Sequence, residues 1–132
     1  MLTKRSLLYY TGISAVAILS GPSQAATQQA FDQARFDAAR TSGAPVLVFV
    51  AADWCPTCRA QAPLIAQIGA EPAYSRLQVF RLDFDAQKVQ RRALRASRQS
   101  TIIAFKGGVE VGRSVGATSV AQIRALMQLA IT

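Results

Sequence analysis

The residues best able to do chemistry are Cys55 and Cys58, the chain's only cysteines, spaced as C-x-x-C in Trp54-Cys55-Pro56-Thr57-Cys58. A thiolate attacks a disulfide, and a second thiol three residues on can resolve the mixed disulfide that forms. The chain has no histidine, so imidazole acid–base catalysis is excluded. A zinc site within one chain would lack ligands, since four nitrogen or sulfur donors are usual. Two cysteines also make no framework of several disulfide bridges.

The elements around the motif decide whether it works. Val46 to Ala52 is a continuous apolar run, the pattern of a strand buried on both faces. Cys55 follows it, and Pro56 suits the first turn of a helix. The unpaired N–H groups and partial positive charge of a helix start stabilise a thiolate, and the strand end should leave Cys55 exposed. The helix runs on to Gly69, with a kink expected at Pro63.

The remaining pattern supplies the frame. Strands are predicted at 27–31, 77–84, 101–105 and 109–115. Helices are predicted at 33–42, 85–97 and 119–130. Lys106-Gly107-Gly108 forms a hairpin turn. Val89, Ala93 and Ala96 should face inward from the third helix, opposite Lys88, Arg91, Arg92, Arg95 and Arg98. Val120, Ile123, Leu126 and Met127 should face inward from the last. The order β-α-β-α-β-α-β-β-α indicates an α/β fold, a mixed central sheet with helices on both faces.

The chain has 132 residues, enough for one domain, and is 51% hydrophobic and 17% charged, which reads as globular. Residues 1–25 stand apart: basic Lys4 and Arg5, a mostly apolar stretch from Leu7 to Leu19, then Ser23-Gln24-Ala25. This is the layout of a secretory signal peptide cut after Ala25. An uncleaved N-terminal anchor is the alternative, and only then would the protein touch a membrane. Residues 26–132 form the domain, expected to be monomeric and periplasmic. Losing Lys4 and Arg5 with no acid lowers the formal charge from +8 to +6. The basic cluster has no interleaved aromatics, and no nucleic-acid motif is present.

On these motifs the chain resembles the thioredoxin family over residues 27–131. The resemblance rests on Ala52-Asp53-Trp54-Cys55, Cys58, Pro63 and Leu82-Asp83-Phe84-Asp85. Further matches are Ser100-Thr101-Ile102-Ile103-Ala104-Phe105 with Lys106-Gly107-Gly108, and then Val115-Gly116. Ala52-Asp53-Trp54-Cys55 looks like the C-terminal domain of the bacterial transmembrane carrier of electrons to periplasmic thiols. Cys55-Pro56-Thr57-Cys58-Arg59-Ala60 looks like the thioredoxins of cytochrome c maturation, without their insertion and acidic residue. The resemblance implies a thiol–disulfide oxidoreductase with no cofactor. Its partners would be protein thiols and disulfides and a redox partner yet to be identified, and its direction reductive. In the family Trp54 lines the surface beside the nucleophile, where it should shield Cys55. Pro56 and Thr57 tune the potential.

The sequence departs from the family in two places. Ser100 stands where the family has a cis-proline. A cis bond before a non-proline residue costs about 2.5–4 kcal/mol, so a trans bond with a rearranged loop, or a strained site, is expected. The Ser100 hydroxyl should face the Cys55 sulfur. Phe49 replaces the family's buried aspartate behind the resolving cysteine, and Arg81, at the neighbouring lysine position, loses that acidic partner. Asp53 should point to solvent. Other readings are a non-catalytic binding module or chaperone on the same fold, or a metal or iron–sulfur dimer with two cysteines from each chain.

Overall fold

The structure, a computed structural model, describes residues 26–132 together with Ala17. The signal segment expected at 1–25 lies, apart from Ala17, outside the described residues. The elements are β1 (Gln28–Ala30), α1 (Gln33–Thr41), β2 (Val46–Ala51), α2 (Pro56–Gly69) and β3 (Gln78–Asp83). They continue with α3 (Lys88–Ala93), β4 (Thr101–Lys106), β5 (Val109–Val115) and α4 (Val120–Ile131). A short 3-10 turn over Pro72–Tyr74, absent from the sequence reading, joins α2 to β3.

The strands form one sheet in the order β1-β3-β2-β4-β5. β2 lies at its centre, parallel to β3 and antiparallel to β4. All six of its residues are buried, as an uninterrupted apolar run requires when both faces are covered. The β4–β5 hairpin turns at Gly107 and Gly108, both at positive φ, where only glycine is free of steric penalty.

The sheet has two covered faces. On one, Phe31, Phe36, Ala39, Val48, Phe80, Ile103 and Phe105 pack together. The Phe36 ring meets Phe80 and Phe105 nearly edge-on, with centroids 6.0 and 5.3 Å away. On the other, Leu47, Phe49, Ile102 and Ala104 pack with Ile65 and Ile68 of α2 and with Ile123, Leu126 and Met127 of α4; both cysteines belong to this cluster. The Ala26 N–H bonds the carbonyl of Gly69, 2.9 Å away, tying the segment before β1 to the end of α2.

Three expectations are corrected. The helix expected over 85–97 is only Lys88–Ala93. The Asp83 carboxylate accepts the N–H groups of Asp85 and Ala86 and folds that stretch into a turn, the competition with helix that Asp side chains commonly offer. At the other end Arg95 takes a left-handed φ of 54°. Val89 and Ala93 do not face inward: Val89 is 76% exposed and no residue of α3 is buried. The helix is held instead by Arg91, which donates to the Phe84 carbonyl and lies over the Phe84 ring. Val120, expected inward, is 40% exposed, and the buried stripe of α4 is Ile123, Leu126, Met127 and Ala130. Pro63 is exposed within a continuous α2. The N–H it lacks would have reached the carbonyl of Arg59, itself an exposed residue.

Candidate active site

β2 ends at Ala51, and after Ala52, Asp53 and Trp54 the chain turns into α2. Cys55 is the N-cap of that helix and Pro56 its first residue. The Cys55 sulfur accepts the N–H of Cys58 at 3.1 Å, the place an oxygen usually takes in an N-cap. Cys58 sits one turn along on the inward side. Both thiols are free.

Ser100 joins them. Its Oγ lies 3.2 Å from the Cys55 sulfur and 3.2 Å from the Cys58 sulfur. The expected contact with Cys55 is present, and the bridge to Cys58 extends it. No cis peptide bond occurs among the described residues; Ser100 has instead a left-handed φ of 62°. Such a conformation costs a non-glycine residue about 1–3 kcal/mol and persists only where its surroundings hold it. Here the Ser100 carbonyl accepts from the Gly116 N–H at 3.0 Å and from Gln61 Nε2 at 3.2 Å. Gln61 Nε2 also donates to the Ala117 carbonyl at 2.8 Å, tying the loops before β4 and after β5 to α2.

The two thiols differ in acidity. Burial pushes the Cys55 thiol up, but hydrogen bonds from the Cys58 thiol, the Ser100 hydroxyl and the N–H groups of Cys58 and Thr57 outweigh it. The net shift is downward. Burial raises the Cys58 thiol, and the neighbouring Cys55 sulfur raises it further against the opposing Ser100 contact. Cys55 therefore carries the negative charge first. The expectation that it is exposed is corrected: it is 2% exposed, because its sulfur turns in towards Ser100 and the Cys58 N–H.

The other expected residues surround this pair. Trp54 is 57% exposed, and its indole N–H donates to Asp85 Oδ2 at 2.7 Å. The ring thus stands out beside Cys55, steadied by a carboxylate. Pro56 is exposed and Thr57 half-buried. Behind Cys58 a cleft of ≈ 160 Å³ is lined by Phe49, Ala52, Asp53, Arg59 and Arg81. Phe49 closes it with a fully buried ring. Arg81 does have an acidic partner, Asp53, at 2.9 Å. This surface carboxylate stands in for the family's buried acid, absent at Phe49 as expected, and Asp53, 93% exposed in its side chain, points to solvent as expected.

Gln61 was not visible as a site residue in the sequence. Its signal was its place on the stripe Cys58, Gln61, Ile65, Ile68, spaced by three and four, all buried. A glutamine there is fully buried, and its Oε1 has no hydrogen-bond partner. Among the described residues no group of three or more His, Cys, Asp and Glu stands together, and no helix is long and apolar enough to cross a membrane.

The profile of the thioredoxin family matches residues 24–129. Putative thioredoxin-5 of Dictyostelium discoideum is 37% identical over 84 residues, 63% of this chain and 80% of that protein. Thioredoxin-2 of Saccharomyces cerevisiae is 36% identical over 87 residues, 65% of this chain and 82% of that protein. The solved structure of Trxlp from Edwardsiella tarda aligns with a TM-score of 0.73 at 42% identity, over 80% of this chain and 100% of that one.

Proposed function

We propose, from the premise that the chain belongs to the thioredoxin family and is a thiol–disulfide oxidoreductase, that it reduces protein disulfides outside the cytoplasm. The observation that carries the reading is the Cys55 sulfur at the N-cap of α2, with Cys58 one turn on and Ser100 bridging both. Cys55 as thiolate attacks one sulfur of a partner's disulfide. The partner's other sulfur leaves and takes a proton. Cys58 then attacks Cys55, releasing the partner as a dithiol and leaving Cys55–Cys58 oxidised. Trp54, exposed beside Cys55, offers an aromatic surface to the partner chain.

The reductive direction is supported by resemblance to the electron-carrier and cytochrome-maturation domains. Export is supported by Lys4, Arg5, the stretch Leu7–Leu19 and Ser23-Gln24-Ala25. Insulin reduction by the reduced protein tests the activity. The wild type should precipitate insulin chains and Cys55→Ser should not; equal activity in both would remove Cys55 as nucleophile. N-terminal sequencing of protein from the envelope fraction should begin at Ala26.

A further inference from the structure

The resolving step leaves a proton to be moved. Cys58 reacts as a thiolate but starts as a buried thiol, and the position behind it is filled by Phe49, which carries no proton. The cleft beside it holds Asp53 and Arg81, but these are paired to each other, with Asp53 in solvent. The polar side chain that does touch the Cys58 sulfur is Ser100, 3.2 Å away, and the same oxygen touches Cys55.

A serine hydroxyl has one proton to give and lone pairs to receive. A Cys55 thiolate has no proton to give, so in that state Ser100 O–H donates to it across the 3.2 Å contact. Once Cys55 is tied up in the mixed disulfide, the Cys58 S–H that faced the thiolate has Ser100 Oγ, 3.2 Å away, as its acceptor. We propose that the Ser100 hydroxyl carries the Cys58 proton during resolution, and that Gln61 is the positioning residue that holds Ser100 in place for it. The proposal rests on the thiol-exchange reading above and adds the proton path to it.

Cys58 gives its proton to Ser100 Oγ while Ser100 gives its own to solvent water. In-line attack puts the departing sulfur on the far side of Cys55, beyond the hydroxyl's reach, so that sulfur takes its proton from solvent. The bond between Cys55 and the partner breaks and the Cys55–Cys58 bond forms. The partner leaves as a thiol, the two cysteines are oxidised, and Ser100 ends as it began. Gln61 earns its place by geometry: its one amide nitrogen ties the Ser100 and Ala117 carbonyls together, while its Oε1 goes without a partner. A buried side chain left half-satisfied is costly, so nothing about packing alone favours it over a hydrocarbon.

Ellman's reagent separates the two steps, because the first aryl thiolate leaves when Cys55 attacks and the second when Cys58 resolves. The charged groups around the pair are Arg59, the Asp53–Arg81 pair, and Asp85 on Trp54; all are retained in the variants. Ser100→Gly keeps the left-handed backbone without strain. Its second phase should slow roughly 10²-fold, the low end of what a positioned proton carrier supplies. Its first phase should slow only at pH below the Cys55 pKa and recover above it. The solvent deuterium effect on the wild-type second phase should shrink in the variant. Gln61→Met, which keeps the hydroxyl but frees the loop, should slow the second phase by a smaller factor. A second phase unchanged in Ser100→Gly, or slowed in step with the first at every pH, overturns the proposal. A wild type that releases no second thiolate would instead overturn the thiol-exchange reading itself.

Discussion

The two faces of the sheet are built differently. The face under α1 is sealed by apolar side chains, with three phenylalanines in tilted and edge-on contact around Phe36. The face under α2 and α4 is equally covered but holds both cysteines, Gln61 and Ser100. Among the described residues, the two buried polar atoms without partners, Gln61 Oε1 and Ser114 Oγ, also belong there; Ser114 is paired with Ile102 of that face. Ser100 adds a left-handed backbone. The difference separates stability from chemistry. One face lets aromatic packing hold the sheet, and the other accepts strain and unsatisfied polarity so that two sulfurs can share one hydroxyl.

Chemistry that resides on the second face puts the largest expected effect there. Cys55→Ser should abolish disulfide reduction while leaving thermal unfolding of the reduced protein nearly unchanged; insulin turbidity and a melting curve read the two. Next in size is the first face. Phe36→Ala should cost about 3–5 kcal/mol in denaturant unfolding, yet leave the pH dependence of Cys55 alkylation where it was. A shifted alkylation profile would mean the faces are not independent.

Smaller effects sharpen the contrast. Alkylation of reduced Cys55 should rise with pH through a midpoint below the ordinary thiol value of about 8.5, because hydrogen bonds to its thiolate outweigh burial. Ser100→Gly should move that midpoint upward. The same shift bears on stability. The folded value lies below the unfolded one, so the contribution is fully present above the unfolded thiol pKa and is lost as pH falls through the folded value. The smallest effect belongs to the surface. Asp53→Asn, which breaks an exposed pair with Arg81, should change stability by no more than about 1 kcal/mol.

Much of the frame was legible in the residue pattern. The run 46–52 reads as a central strand, found at Val46–Ala51, and Cys55-Pro56 after it reads as the start of a helix. Ser100 stood out because the family places a proline there, and its hydroxyl does face the sulfurs. The misreadings have local causes. Charges spaced by three and four from Lys88 to Arg98 mimic a long helix, but the Asp83 turn and the left-handed Arg95 cut it at both ends. Gln61 looks like one more polar helix residue until the packing shows it facing the Ser100 loop. Asp53 and Arg81 are 28 positions apart, and nothing local shows that adjacent strand ends bring them together.

The central claim is that Cys55 and Cys58 form one redox couple. A redox titration of the pair against glutathione tests it most directly. The titration should show a single two-electron transition that disappears in Cys58→Ser. Its potential should lie nearer the about −270 mV of a reducing dithiol than the about −120 mV of a strong oxidant. Two cysteines that each join glutathione independently, with no Cys55–Cys58 disulfide at any ratio, would contradict it.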